Sequence, residues 1–293
     1  MSLPLHDPAW LERMYNNRAL VPDHMEYLQR WARESAAVRA SQPCVLDEAY
    51  GGGTGETLDI FPAGRTAPTG VPVLVFIHGG YWRSLDKADH SFIAPAFTQA
   101  GFCVVVVNYA LCPGTPEAPV TVPHILRQME RALGWVWQHI AQHGGDPRRI
   151  TVAGHSAGGH LAAMLLTSVW PLLGAGWPDG LVRNALSISG VHDLEPLRHT
   201  PFLQEALHLT EQQVLQCSPA RLLAPERGLL YCAVGGDESD EFHRQNGLVQ
   251  QAWGAHFVPR CQVLPGLHHF SILDALAQPG QDLHHMAQNL LRM

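Results

Sequence analysis

No apolar run in this 293-residue sequence could span a bilayer; the longest, VPVLVFI (71–77) and GFCVVVV (101–107), are strand-length. The start, MSLPLHDPAWLERMYNNRAL, contains no apolar stretch of the kind a signal peptide needs, so no membrane association and a cytoplasmic location are expected. Charge is sparse. Charged residues make up 15%, the formal net charge is -7, and no five like charges run together. That leaves no basic footprint for nucleic acid and no charged tail. Cysteines number 6 (Cys44, Cys103, Cys112, Cys217, Cys232, Cys261) and never form CxxC. Cys103, Cys232 and Cys261 lie inside apolar runs and read as small core side chains, a pattern that suits a reducing compartment. Histidine is plentiful at 18, yet HExxH is missing. The pairs His268-His269 and His284-His285 are adjacent, so their members point in different directions on regular structure. No metal and no cofactor are expected. The sequence also lacks an internal repeat and a low-complexity linker.

What is present is apolar: 46% of the residues are hydrophobic, enough for a large core and, at this length, one α/β domain over residues 1–293. Residues 8–40 read as helical, with VPD (21–23) as an interruption. CVLDEAY and ETLDIF are short strands around a GGGTG turn. Strands and helices then alternate. VPVLVFI, FCVVVVNY, RRITVAG, NALSISG, GLLYCAV and CQVLPG are the strands, and the continuous apolar character of the first two is that of strands buried on both faces. The order predicts a mostly parallel sheet covered by helices. Residues 191–226 have helical pieces but little strand, and read as a lid-like insertion. Leu194, Leu197, Phe202 and Leu203 are its candidates for a pocket wall.

GHSAG (154–158) matches G-x-S-x-G, with RITVA before it and HLAAMLL after it. This strand–turn–helix context is what places a serine on a strained, exposed turn, so Ser156 is the candidate nucleophile. Gly158 and Gly159 read as close-packing residues, and His155 and His160 as shaping the turn. HGGYW (78–82) directly follows the strand VLVFI. Glycines there can leave backbone N–H groups free for an oxyanion, which makes Gly79 and Gly80 donors together with Ala157, the residue after the nucleophile. His78 reads as a brace for the loop. Tyr81 and Trp82 either pack or wall an acyl or aromatic pocket.

A serine needs an oriented imidazole and an acid, and in such sheets the order is Ser, acid, His on loops after late strands. CQVLP is followed by GLHHF, which offers His268 or His269. GLLYCAV is followed by GGDESDEF (235–242), where Asp237 and Glu238 stand between strand and helix. Asp240 and Glu241 fall in the first turn of that helix. They read as bland acids suited to its dipole, with substitutions expected to shift stability by less than ~1 kcal/mol.

HGGYW, NYALCP, GHSAGGHLAAMLL, SGVHDLEPL, CSPARLL, DEFHRQ and HHFSILDAL, together with the N-terminal YNNRALVPD, resemble the arylformamidase (kynurenine formamidase) branch of the α/β-hydrolases, close to hormone-sensitive-lipase-like esterases. The resemblance covers nearly the whole chain. It implies an α/β-hydrolase fold, with a mostly parallel central sheet, helices on both faces and a small helical lid. It also implies a serine hydrolase acting on a small-molecule aryl formamide such as N-formyl-L-kynurenine, without a cofactor. The family histidine precedes a phenylalanine, which selects His269. The EFHRQ register places the family acid at Glu238, where animal members carry aspartate; glutamate can fill that role. A broad carboxylesterase on the same scaffold is the alternative. A non-catalytic binding protein would have lost the serine or the histidine, and both are present. A homodimer is compatible with the sequence.

Overall fold

Residues 8–41 form three helices, α1 (Pro8–Tyr15), α2 (Asn17–Leu20) and α3 (His24–Ser41), in the computed structural model, which describes residues 5–53, 55–64 and 67–293. Asp7 caps α1 by accepting from the Ala9 N–H, and Pro8 takes a first-turn position whose N–H would go unused. The VPD interruption separates α2 from α3. A further break falls at Asn16, whose side chain caps α2 by accepting from the Ala19 N–H.

The sheet follows. In chain order come β1 (Val45–Ala49), β2 (Thr57–Phe61), β3 (Val71–Ile77), α4 (Ala94–Thr98), β4 (Cys103–Val107), α5 (Val122–His139), β5 (Gly145–His155), α6 (Ala157–Thr167), α7 (Trp170–Leu173) and β6 (Asn184–Ile188). After these come α8 (Glu195–Arg198), α9 (Pro201–Leu207), α10 (Glu211–Cys217), β7 (Leu229–Gly235), α11 (Asp240–Phe257), β8 (Arg260–Leu264), α12 (Ile272–Ala277) and α13 (Asp282–Arg292). Strand order is β1-β2-β4-β3-β5-β6-β7-β8. Among the described strands, β1–β2 and β2–β4 pair antiparallel; β3 with β4, β3 with β5, and each later neighbour pair run parallel.

Both faces of β3 are covered, which explains its unbroken apolar run. Val73, Val75 and Ile77 join an apolar layer with Met129 of α5 and Leu161 of α6. Leu74 and Phe76 join a second layer with Trp31 of α3, Phe97 of α4, Leu273 of α12 and Leu290 of α13. The period-2 alternation of a strand therefore feeds two cores at once. Residues 191–226 carry α8, α9 and α10 and no strand among the described residues. Cys103 and Cys232 are buried, Cys261 is half-buried, and all the cysteines are free. Among the described residues no helix is long and apolar enough to cross a membrane.

The parallel strands point their C-terminal ends the same way. The loops after β3, β5, β7 and β8 therefore gather at one edge, where ligand sites of open α/β sheets form.

Candidate active site

Ser156 sits between the end of β5 and the start of α6 with φ +56° and ψ −116°. A non-glycine residue held at such angles costs about 1–3 kcal/mol and persists only where its surroundings over-determine it. Here the Ser156 N–H donates to the Ile188 carbonyl at 2.8 Å, and its carbonyl accepts from His160 at 3.1 Å to open the helix. The flanking glycines are required by close approach. A methyl at Gly154 would run into the Gly158 carbonyl, and one at Gly158 into the Ile77 carbonyl at the end of β3.

The HGGYW loop lies beside this turn; a methyl on Gly79 would stand 3.1 Å from Ser156 Cβ. Tyr109 ties the loop down, its hydroxyl donating to the carbonyls of His78 at 2.9 Å and Gly79 at 3.1 Å. In a trans peptide the next N–H points opposite to the carbonyl. Fixing these two carbonyls on Tyr109 thus turns the Gly79 and Gly80 N–H groups away from it. Neither N–H has an acceptor among the described residues. Ala157 is the first residue of α6, so its N–H has no partner within the helix. His78 braces the loop by hydrogen bonding to Asn108 Oδ1 at 3.0 Å and stacking on Tyr109 with 4.2 Å between ring centroids. Burial, with His90 adding to it, pushes its pKa down to about 4, so the ring is neutral.

His269 follows β8. Its Nδ1 lies 2.7 Å from Glu238 Oε2, and the Glu238 side chain is wholly buried. The other carboxylate oxygen accepts from the Gly235 N–H at 2.8 Å and from the Ser189 hydroxyl at 2.5 Å. Asp237 is exposed, and its backbone N–H is spent on the Leu267 carbonyl. His268 turns away: its Nδ1 accepts from the N–H groups of Phe270 and Ser271, and its ring meets Tyr27 edge-on. His155 holds His269 from below, its Nε2–H donating to the His269 carbonyl at 2.8 Å. Burial, and then the neighbouring His269, drive the His155 pKa well below the usual range, so it stays neutral.

Ser156 and His269 line one cavity of about 430 Å³, a size suited to a small-molecule ligand. No direct hydrogen bond joins Ser156 Oγ to the His269 ring. Part of the wall is aromatic and apolar, formed by Tyr81, Phe202, Phe270, Trp31, Leu28 and Leu85, and part is polar, with Arg83 and Ser84. The N-terminal segment closes one side with Tyr15, Asn16, Asn17 and Arg18. Tyr81 is fixed there by donating its hydroxyl to the Tyr15 carbonyl at 2.8 Å. Burial, and then the Glu238 charge, raise its pKa well above the ordinary value and keep it neutral.

Three expectations need correction. Trp82 is not a pocket wall. Its indole is fully buried and meets His160 edge-on at 4.9 Å, so it anchors the HGGYW loop on α6. Both Tyr81 (φ +50°) and Trp82 (φ +56°) are left-handed, a twist that turns one side chain toward the cavity and the other into the core. Of the candidates in 191–226, only Phe202 lines the cavity; Leu194, Leu197 and Leu203 are core residues.

Glu241 is not bland. Its side chain is wholly buried and accepts from Tyr15 Oη at 2.6 Å and from Arg244 through Nε at 2.6 Å and Nη2 at 2.9 Å. Gln245 extends the network to Tyr15 Oη at 2.9 Å and to the Asp193 carbonyl at 2.8 Å, joining α1, α11 and the start of the 191–226 segment. Removing one partner of a buried pair strands the other. Glu241→Ala is therefore expected to lower unfolding free energy by about 3 kcal/mol in urea titration. Asp240→Ala, at an exposed position, should stay within about 0.5 kcal/mol. Equal small effects would show that the buried network carries no stability.

Away from the cavity, His6, Glu195 and His199 bring ligand atoms within 4.8 Å of one another. Glu195 there already accepts from Arg198 at 2.7 Å and lies 2.9 Å from His199 Nε2. The ion pair with Arg198 accounts for the carboxylate's position without an ion.

The family model BD-FAE matches residues 58–170, which run from β2 into α7 and include both glycine motifs. A kynurenine formamidase of Danio rerio is 31% identical over 94% of this chain and 90% of its own length. Esterase LipQ of Mycobacterium tuberculosis is 36% identical, but over 50% of this chain and 35% of its own. The solved structure of a Pyrobaculum calidifontis esterase covers 98% of both chains with a TM-score of 0.67 at 16% identity, a likeness of fold alone. The fold is that of the α/β-hydrolases, and the nearly full-length likeness to the Danio rerio enzyme shows that the chain belongs to the kynurenine formamidase family.

Proposed function

We propose that the protein is a serine hydrolase that cleaves an aryl formamide of the N-formyl-L-kynurenine type, with Ser156 as nucleophile, His269 as base and Glu238 as the acid that orients it. The observation that carries the assignment is the 2.7 Å Glu238–His269 pair, buried at the edge of the aromatic-walled cavity that Ser156 also lines. Glu238 holds the proton of His269 on Nδ1, which leaves Nε2 as a lone pair for the serine proton. Ser156 Oγ attacks the formyl carbonyl carbon while His269 takes its proton. The new oxyanion is received by the N–H groups of Gly79, Gly80 and Ala157. Collapse of this intermediate breaks the C–N bond, and His269 returns the proton to the departing aryl amine. Water, deprotonated by the same histidine, then splits the formyl ester to give formate and free serine.

The cavity supports an aryl leaving group, because Tyr81, Phe202 and Phe270 offer ring faces and edges. The esterase reading uses the same machinery and is supported by partial-length likenesses such as that to LipQ. The two separate on substrate preference. N-formyl-L-kynurenine is expected to show kcat/KM about tenfold or more above that of p-nitrophenyl acetate, since binding the aryl portion should contribute to transition-state stabilisation. The reverse order would favour the esterase.

A further inference from the structure

We propose that Arg83 receives the carboxylate of an amino-acid side arm on the leaving aryl amine, so that the site selects aryl formamides that carry a carboxylate over those that lack one. This rests on the formamidase reading above and names the substrate class within it. The formally charged side chains that line the cavity are Arg18 and Arg83, and no Asp or Glu lines it. Among the described residues neither arginine forms an ion pair with a carboxylate of the protein. A cavity bordered by unpaired cations and no anion favours a negatively charged group on its ligand.

Arg83 is the better placed of the two. Arg18 is exposed and no side-chain bond holds it. Arg83 Nη1 donates to the Phe202 carbonyl at 2.9 Å, and its guanidinium lies 5.5 Å from the centre of the Phe202 ring. The planar group is thus fixed against an aromatic wall with most of its N–H donors unspent, the geometry that suits bidentate binding of a carboxylate. It also sits in the same tight loop as the oxyanion donors: the Arg83 and Ser84 N–H groups both donate to the Gly80 carbonyl at 3.1 Å. Anchoring the far end of a substrate there would register its formyl group against Gly79 and Gly80, binding energy that a simple acetyl ester cannot supply.

The test compares wild type, Arg83→Met and Arg83→Lys on two formamides, N-formyl-L-kynurenine and 2′-formamidoacetophenone, which has the same ring and no amino-acid arm. Arg83→Met is expected to lower kcat/KM for N-formyl-L-kynurenine by ~10–100-fold, mainly through KM, the range for losing a charge-assisted hydrogen-bonded contact. That loss should exceed the loss on 2′-formamidoacetophenone by about tenfold or more, with Arg83→Lys between wild type and Met. Equal losses on the two formamides would mean that Arg83 only supports Phe202 and the loop, and would overturn the carboxylate assignment while leaving the formamidase reading intact. A wild-type enzyme that hydrolyses neither formamide, yet cleaves p-nitrophenyl acetate, would overturn both.

Discussion

Ser156→Ala is expected to lower kcat on N-formyl-L-kynurenine by about 10⁴–10⁶, the usual result of removing a nucleophile from a serine hydrolase. Stability should change by less than about 1 kcal/mol, because alanine bears the same backbone angles as serine and the Ile188 and His160 contacts are made by the backbone. Steady-state rates with a melting curve for each variant separate the two effects. A variant that folds and keeps a tenth of the wild-type rate would remove Ser156 from the mechanism.

Glu238→Gln has the second-largest expected effect, and its size follows from the hydrogen bonds around the carboxylate. Oε1 accepts from two donors, the Gly235 N–H and the Ser189 hydroxyl. The glutamine carbonyl must occupy that position, so its NH₂ faces His269. The imidazole can then meet it only through an unprotonated Nδ1, which puts the proton on Nε2 and blocks its use as a base. A loss of about 10²–10⁴ in kcat is expected, the range seen when the triad acid of a serine hydrolase is converted to its amide. Asp237→Asn should cost less than about tenfold, since its side chain is exposed and away from the imidazole. Should Asp237→Asn prove the more damaging, the roles of the two acids would have to be exchanged.

Local chemistry was the legible part of this sequence. VPVLVFI coincides with β3 end to end because a strand buried on both faces needs an unbroken apolar run. GHSAG was readable because only glycine fits where Gly154 and Gly158 meet backbone carbonyls. Illegible features depended on partners far away in the chain or on the sign of φ. Tyr81 and Trp82 are adjacent and both aromatic, and only the left-handed backbone decides which one faces the cavity. Tyr15, Asn16, Asn17 and Arg18 reach the cavity through a helical segment that carries no catalytic motif. Ser189, which holds Glu238, is one serine among several at strand ends, singled out by φ +50° and a contact 49 positions away.

Glu241 was within reach. Gln245, Val249 and Trp253 follow it at four-residue intervals and are buried with it along one face of α11. A charged residue on that stripe needs a buried partner. Its first-turn position, read alone, hid this.

The most direct test of the account is to treat the wild-type protein with a fluorophosphonate, with and without N-formyl-L-kynurenine, and to map the adduct by peptide mass spectrometry. A single adduct on Ser156, formed more slowly as the formamide concentration rises, is the predicted result. An adduct on another residue, or labelling of Ser156 at a rate the formamide does not change, would contradict it.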